Sequence, residues 1–235
     1  MKHLTAMRAL LLCAAASCTV LAGGFGSLLP KQAAPALTYT LDGEPRTRAA
    51  VARLAISSAP GAVPTLIVSA PRAAPGYDGP QMVYVRVAYQ LEHFARSEWA
   101  DTPARMLAPL IVAALENTGG LRAVGPASGG VEGDLRLDTE VLQLQQEFGG
   151  GPSWVRFSLR ATLFNNVTRQ VISSQVFDET VASASEDAYG GVVAANRAVQ
   201  RVMEQLSRHC TLAAESWRVS NGQFPKPDDP ARTGR

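Results

Sequence analysis

Between Trp154 and Asn165 the chain alternates without a break. Val155, Phe157, Leu159, Ala161 and Leu163 fall on one side, and Arg156, Ser158, Arg160 and Thr162 on the other. A period of two predicts a β-strand with one dry and one wet face. Gly149-Gly150-Gly151-Pro152 before it reads as a hairpin loop. Asn165-Asn166 behind it tolerates positive φ at a turn, and residues 170–177 return as a partner strand. Residues 133–148 form a long strand whose phase slips. Leu135, Leu137 and Val141 share one face, and Leu142 and Leu144 fall on the other, which predicts a β-bulge near Val141.

Shorter strands are expected at 36–41, at 65–68 (closed by Pro71) and at 121–124. Residues 82–91 alternate Val83, Val85 and Val87 against Tyr84, Arg86 and Ala88, and read as one strand or as two with a turn near Val87. Elsewhere the spacing becomes helical. Asp101-Thr102-Pro103 supplies a cap and a first-turn proline, and Met106, Leu107, Leu110, Ile111, Ala114 and Leu115 then recur before Gly119-Gly120 stops the helix. A second helix is expected over 186–208, with Val192, Ala195, Val199, Val202, Met203 and Leu206 as its stripe. Trp217 is expected to pack back on the body. The order of strands, helix, strands, helix predicts one α+β domain, a mostly antiparallel sheet with two main helices packed on one side. Residues 43–61 read as loop. The domain spans 36–210, and 211–235, with Pro225, Pro227 and Pro230, is a partly disordered C-terminal extension.

The N-terminus is patterned differently. Lys2 and Arg8 precede an apolar run that begins at Leu10 and ends near Ala22. This is the layout of a secretory signal over 1–22, too short for the ~20 apolar residues of a membrane span. Residues 23–35, rich in Gly, Pro and Ala, read as a tether. Two processing routes stay open: cleavage after Ala22, or acylation of Cys18 in a variant lipobox, Ala15-Ala16-Ser17-Cys18. Cys13 leaves with the leader on either route. Cys210 has no disulfide partner and reads as a half-buried small residue.

Charge narrows the function. The 22 basic side chains, less Lys2 and Arg8, leave 20 against 20 acidic ones. A neutral mature chain has no electrostatic footprint for nucleic acid. With 46% hydrophobic residues it builds a core and is not disordered throughout. Chemistry is sparse. His93 and His209 are the histidines outside the leader, and no G-x-S-x-G elbow or phosphate-binding glycine loop is present. Glu98 and Asp101 read as helix-start acids, as do Glu186 and Asp187. No Cys, His and acid cluster has metal spacing. The expectation is a protein that is not an enzyme and carries no cofactor or metal.

Several segments carry a resemblance. Ser27-Leu28-Leu29-Pro30 follows the leader, and Tyr39-Thr40-Leu41 forms the first strand. Val68-Ser69-Ala70-Pro71 leads to Gly76-Tyr77-Asp78 and Met82-Val83-Tyr84. Trp99-Ala100-Asp101-Thr102-Pro103 with Met106-Leu107 opens the first helix, and Ala194-Ala195-Asn196-Arg197-Ala198 lies in the last. In this order the chain resembles the ABC-type transport auxiliary lipoprotein family over roughly residues 26–206. The resemblance implies a non-catalytic periplasmic lipoprotein that serves an MCE-type ABC transporter. Its partners would be an MCE-domain substrate-binding protein and the permease–ATPase complex, and its role to help move phospholipid or another hydrophobic substrate between the membranes. A stand-alone lipid carrier and a structural envelope protein are the alternatives, and a homo-oligomer is compatible with each. The family's leader usually ends Leu-Ala-Gly-Cys; here Leu21-Ala22-Gly23 meets Gly24. The anchor has therefore moved to Cys18, which would associate the protein with the outer membrane, or the protein is unacylated. Tyr77, Tyr84 and Trp99 are the candidates for a partner or ligand surface, because aromatic side chains dominate interface energetics; completing the core is the other reading of each.

Overall fold

The computed structural model describes residues 35–42, 63–130 and 132–220. The strands in chain order are β1 Leu37–Tyr39, β2 Thr65–Val68, β3 Arg72–Ala73, β4 Gln81–Val85, β5 Glu92–Trp99, β6 Ala123–Pro126, β7 Leu135–Glu147, β8 Trp154–Asn165 and β9 Val171–Ala182. The helices are α1 Pro103–Glu116 and α2 Ala188–Ser220. The expected loop at 43–61, the leader and the proline-rich tail lie outside the described residues.

Everything in the sheet hangs on β7. One of its edges pairs antiparallel with β8 along its whole length, from Leu135↔Asn165 to Glu147↔Trp154. Its other edge is divided among three strands, all parallel to it. β2 takes Leu135 to Leu137, β3 takes Glu140 and Val141, and β4 takes Gln145 to Glu147. Beyond these, β6 flanks β2, β5 flanks β4, and β1 flanks β5, while β9 closes the far side against β8. The sheet is α+β in character but mixed. The longest ladders are antiparallel, yet five of the eight pairings are parallel. Parallel neighbours need a crossover, and α1 supplies the one between β2 and β6.

The bulge sits where the phase of the sequence slips. Val141 faces Leu159 and Gln143 faces Ser158, so Leu142 is the extra residue. A strict period of two sends Leu144 to the wet face. The bulge absorbs Leu142 and returns Leu144 to the core, 3% exposed and opposite Phe157.

Both helices pack on the core formed by this sheet. Leu107, Ile111 and Leu115 of α1 lie at helical spacing and are each 0% exposed. Thr102 caps that helix by accepting from the Arg105 N–H, with Pro103 at the first helical position. In α2 the Asp187 carboxylate accepts from the Gly190 N–H at 2.8 Å. The Ser185 hydroxyl and that N–H hold Asp187 below the usual carboxylate range. This helix does not end at Arg208. Its stripe continues through Cys210, Ala214 and Trp217, so it runs to Ser220, and residues 211–220 are helix rather than tail. Trp217 packs against the core as expected.

The chain does fold back near Val87, as the second reading of 82–91 had it, but the returning strand β5 starts only at Glu92 and 86–91 are turn. The turn is closed by Gln90 N–H donating to Val87 C=O at 3.0 Å. Tyr89 occupies its third position with φ +69°, a conformation that glycine or asparagine usually supplies.

Candidate functional site

The pairing of β4 with β7 and β5 gathers an aromatic cluster at one end of the sheet. Tyr84 and Phe94 have ring centroids 4.7 Å apart, and Phe148 meets Tyr84 edge-on at 5.8 Å. The Arg86 guanidinium lies 5.4 Å from the Tyr84 ring centroid and bonds Glu92 through two nitrogens. The Tyr84 hydroxyl donates to Glu92 Oε2 at 3.0 Å. Arg86, and then Tyr84, hold the Glu92 carboxyl below its usual range, while the bond to Glu92 pushes the Tyr84 hydroxyl up. The result is an open cleft of about 310 Å³ with aromatic walls and an internally neutralised rim. Such a surface suits a stacked ring or an apolar side chain, not a free ion.

The other aromatic candidates lie elsewhere. Trp99 is 4% exposed and belongs to the core, its backbone N–H donating to Pro80 C=O at 2.8 Å. Tyr77 is buried, and its hydroxyl donates to Gln145 Oε1. Gln145 in turn donates to Glu147 at 2.8 Å, and Trp154 Nε1 donates to the same carboxylate at 2.9 Å. Burial, and then the Glu147 charge, raise the Tyr77 hydroxyl. Tyr84 is thus the member of the trio with accessible ring surface, and the three do not share one site. Cys18 lies outside the described residues.

A second cleft, of about 510 Å³, runs beside α1. Pro109, Val112 and Ala113 form one wall, and Val68, Ala70 and Pro126 the other. Its signal was present in the sequence: α1 carries only Arg105 and Glu116 as charges, so it is apolar on the outside as well as the inside. Asn196, within the segment that carried the resemblance, also has a role that spacing could not disclose. Its side chain accepts from Asp42 N–H at 2.7 Å and donates to Thr40 C=O at 3.2 Å, tying the exit of β1 to α2.

His209 Nε2 lies 2.7 Å from Ser173 Oγ, with Phe177 edge-on to the ring. No carboxylate bonds this imidazole among the described residues, so the pair lacks the third group that orients a base. Burial pushes its pKa down. His93 is exposed on β5. The Cys210 thiol is buried and pushed up to about 12. Among the described residues no group of three His, Cys, Asp or Glu side chains is placed to hold a metal, and no helix is long and apolar enough to cross a membrane.

Comparison with known proteins places this fold. The chain is similar to a crystal structure of a Xanthomonas campestris protein, with 21% identity over 78% of this chain and 98% of that one, and a TM-score of 0.64. It is similar to a crystal structure of an uncharacterized protein at 16% identity, over 75% and 99% of the two chains, with a TM-score of 0.56. A hypothetical protein from Chlamydia trachomatis matches at 10% identity over 65% and 98%, with a TM-score of 0.45. At these identities the first two likenesses concern the fold alone. No match was found among curated proteins. The family described as the ABC-type transport auxiliary lipoprotein component matches residues 39–207, from β1 well into α2. The chain belongs to the family of ABC-type transport auxiliary lipoprotein components.

Proposed function

We propose that the protein is a non-catalytic periplasmic auxiliary component of an MCE-type ABC transporter, and that it helps move phospholipid or another hydrophobic substrate between the inner and outer membranes. The observation that carries this reading is the family match, which spans the folded domain from its first strand to its last helix. In this role the permease and ATPase supply the energy, and this chain supplies contact. The sheet and helices form a rigid support, the Tyr84–Phe94–Phe148 cluster offers a partner surface, and acylation of Cys18 holds the protein at the outer membrane.

The test is affinity purification of the tagged protein from solubilised envelopes. Recovery of an MCE-domain protein with the permease supports the reading, and recovery of neither refutes it. Fatty-acid label that vanishes on Cys18→Ala supports the anchor; absence of label from the wild type refutes it. The cleft beside α1 favours one second reading, a free-standing lipid carrier. Native mass spectrometry separates the two, because a carrier retains lipid when purified alone.

A further inference from the structure

The tip of the β4–β5 hairpin has a surface that the fold does not require. Val87 is 60% exposed, Tyr89 104% and Leu91 41%. These three large apolar side chains project within five residues. Tyr89 also stands at the turn position with φ +69°, where an L side chain is strained. A strained backbone under a wholly exposed aromatic ring is poor design for stability alone. It marks the ring as placed for an encounter.

The neighbouring loop extends this surface. Phe148 N–H donates to Val85 C=O at 2.9 Å, which sets the β7–β8 loop beside the hairpin. Residues 149–153 are Gly-Gly-Gly-Pro-Ser, and 86–91 contain one charge, Arg86, which is paired with Glu92. The hairpin tip and the β7–β8 loop thus carry no unpaired charge of their own; the exposed carboxylate nearest them is that of Glu186, which accepts from the Ser153 N–H at 2.9 Å. The open face of the sheet differs, with Arg160–Glu140 and Arg156–Asp178 ion pairs across the strands.

We propose that this tip docks the protein on a lipid bilayer, with Val87, Tyr89 and Leu91 entering the boundary between headgroups and acyl chains. Size favours a bilayer over a protein partner. One tyrosine side chain buries about 150–250 Å², and with two aliphatic neighbours it falls short of the ~800 Å² per partner of a stable protein interface. Insertion into a membrane boundary needs no matching surface, and tyrosine is suited to that depth because its ring is apolar and its hydroxyl is wet. The inference deepens the auxiliary-lipoprotein reading and rests on it in one respect: a lipoprotein works at a membrane.

The experiment is flotation of the exported protein, carrying Cys18→Ala so that no acyl chain contributes, with vesicles of phosphatidylethanolamine and phosphatidylglycerol. Flotation is expected, and it should persist in about 0.5 M salt because the contact is apolar. Val87→Ser with Tyr89→Ser should reduce the bound fraction about tenfold or more. Tyr89→Trp should retain it, as should Val167→Ser, a change to an exposed valine on the β8–β9 turn. Circular dichroism and Tm establish that each variant is folded. Failure to float, loss of binding in salt, or binding that ignores the tip substitutions overturns the proposal. A tip variant that still floats but no longer recovers transporter subunits makes the tip a protein contact, overturning bilayer docking while the auxiliary role stands. Failure of the wild type to recover those subunits is a separate result, and it bears on the function alone.

Discussion

Gly191 faces Gln146 so closely that a Cβ on the glycine would fall 2.2 Å from Gln146 Oε1. Gln146 cannot swing aside freely, because its Nε2 donates to Ser153 Oγ at 3.0 Å and the residue is 3% exposed. The first turns of α2 can therefore lie on β7 only without a side chain at 191. Gly191→Ala should destabilise the protein by about 1–3 kcal/mol, despite the ~1 kcal/mol that alanine gains over glycine in a helix. Denaturant titration checks this. Combining it with Gln146→Ala should recover part of the loss, and the double-mutant cycle reads the coupling.

Tyr89→Gly should act in the opposite direction. Relief of a positive φ at a solvated turn should raise stability by about 1 kcal/mol, after allowing for the greater freedom of glycine in the unfolded chain. A rise in Tm with loss of vesicle binding would be the signature of a residue kept for contact and not for folding.

His209 gives the protein a pH dependence of known sign. Burial lowers its folded pKa beneath the ordinary imidazole value of about 6.5, so the unfolded chain takes up the proton first. Stability should be full above about 6.5 and fall as pH drops from there through the folded value. His209→Gln should flatten Tm against pH across that range. The depressed carboxyls, Glu92 and Asp187, contribute only further into acid.

Cys210 should be silent toward thiol reagents in the native protein. A thiol raised to about 12 and 1% exposed offers neither thiolate nor access. Peptide mapping after alkylation should find it modified only when denaturant is present.

The legible parts of this fold were local. The strict alternation of β8, the cap at Thr102 and the phase slip at Val141 each follow from neighbours a few residues apart. The parallel pairings of β7 were not legible, because Leu66 meets Leu135 and Val83 meets Gln145 across long sequence separations that no short period encodes. Hairpins announce themselves in sequence and crossovers do not, and that is why an antiparallel sheet was expected. The end of α2 was misplaced for another reason. Ala213 and Ala214 are weak apolar signals, and they continue a stripe that larger residues had marked before them. Among the candidate surface residues, Trp99 sits at a strand end beside cap residues, a setting that does not reveal its depth. The cleft beside α1 was visible only as a shortage of charge.

The division of one β7 edge among three strands has a dynamic consequence. β2, β3 and β4 hold separate stretches of it and are not paired with one another among the described residues. β5 joins the spine through β4, and β1 through β5, so the ladder holds this arm to β7 at three positions, Gln145 to Glu147, besides the Asn196 tie to α2 and the packing of Trp99. β8, bonded along both edges, has no such weak seam. Amide exchange should therefore open the arm that bears Tyr84 and Tyr89 as one cooperative unit while β8 stays protected, which leaves the contact-making part of the molecule free to yield without unfolding its support.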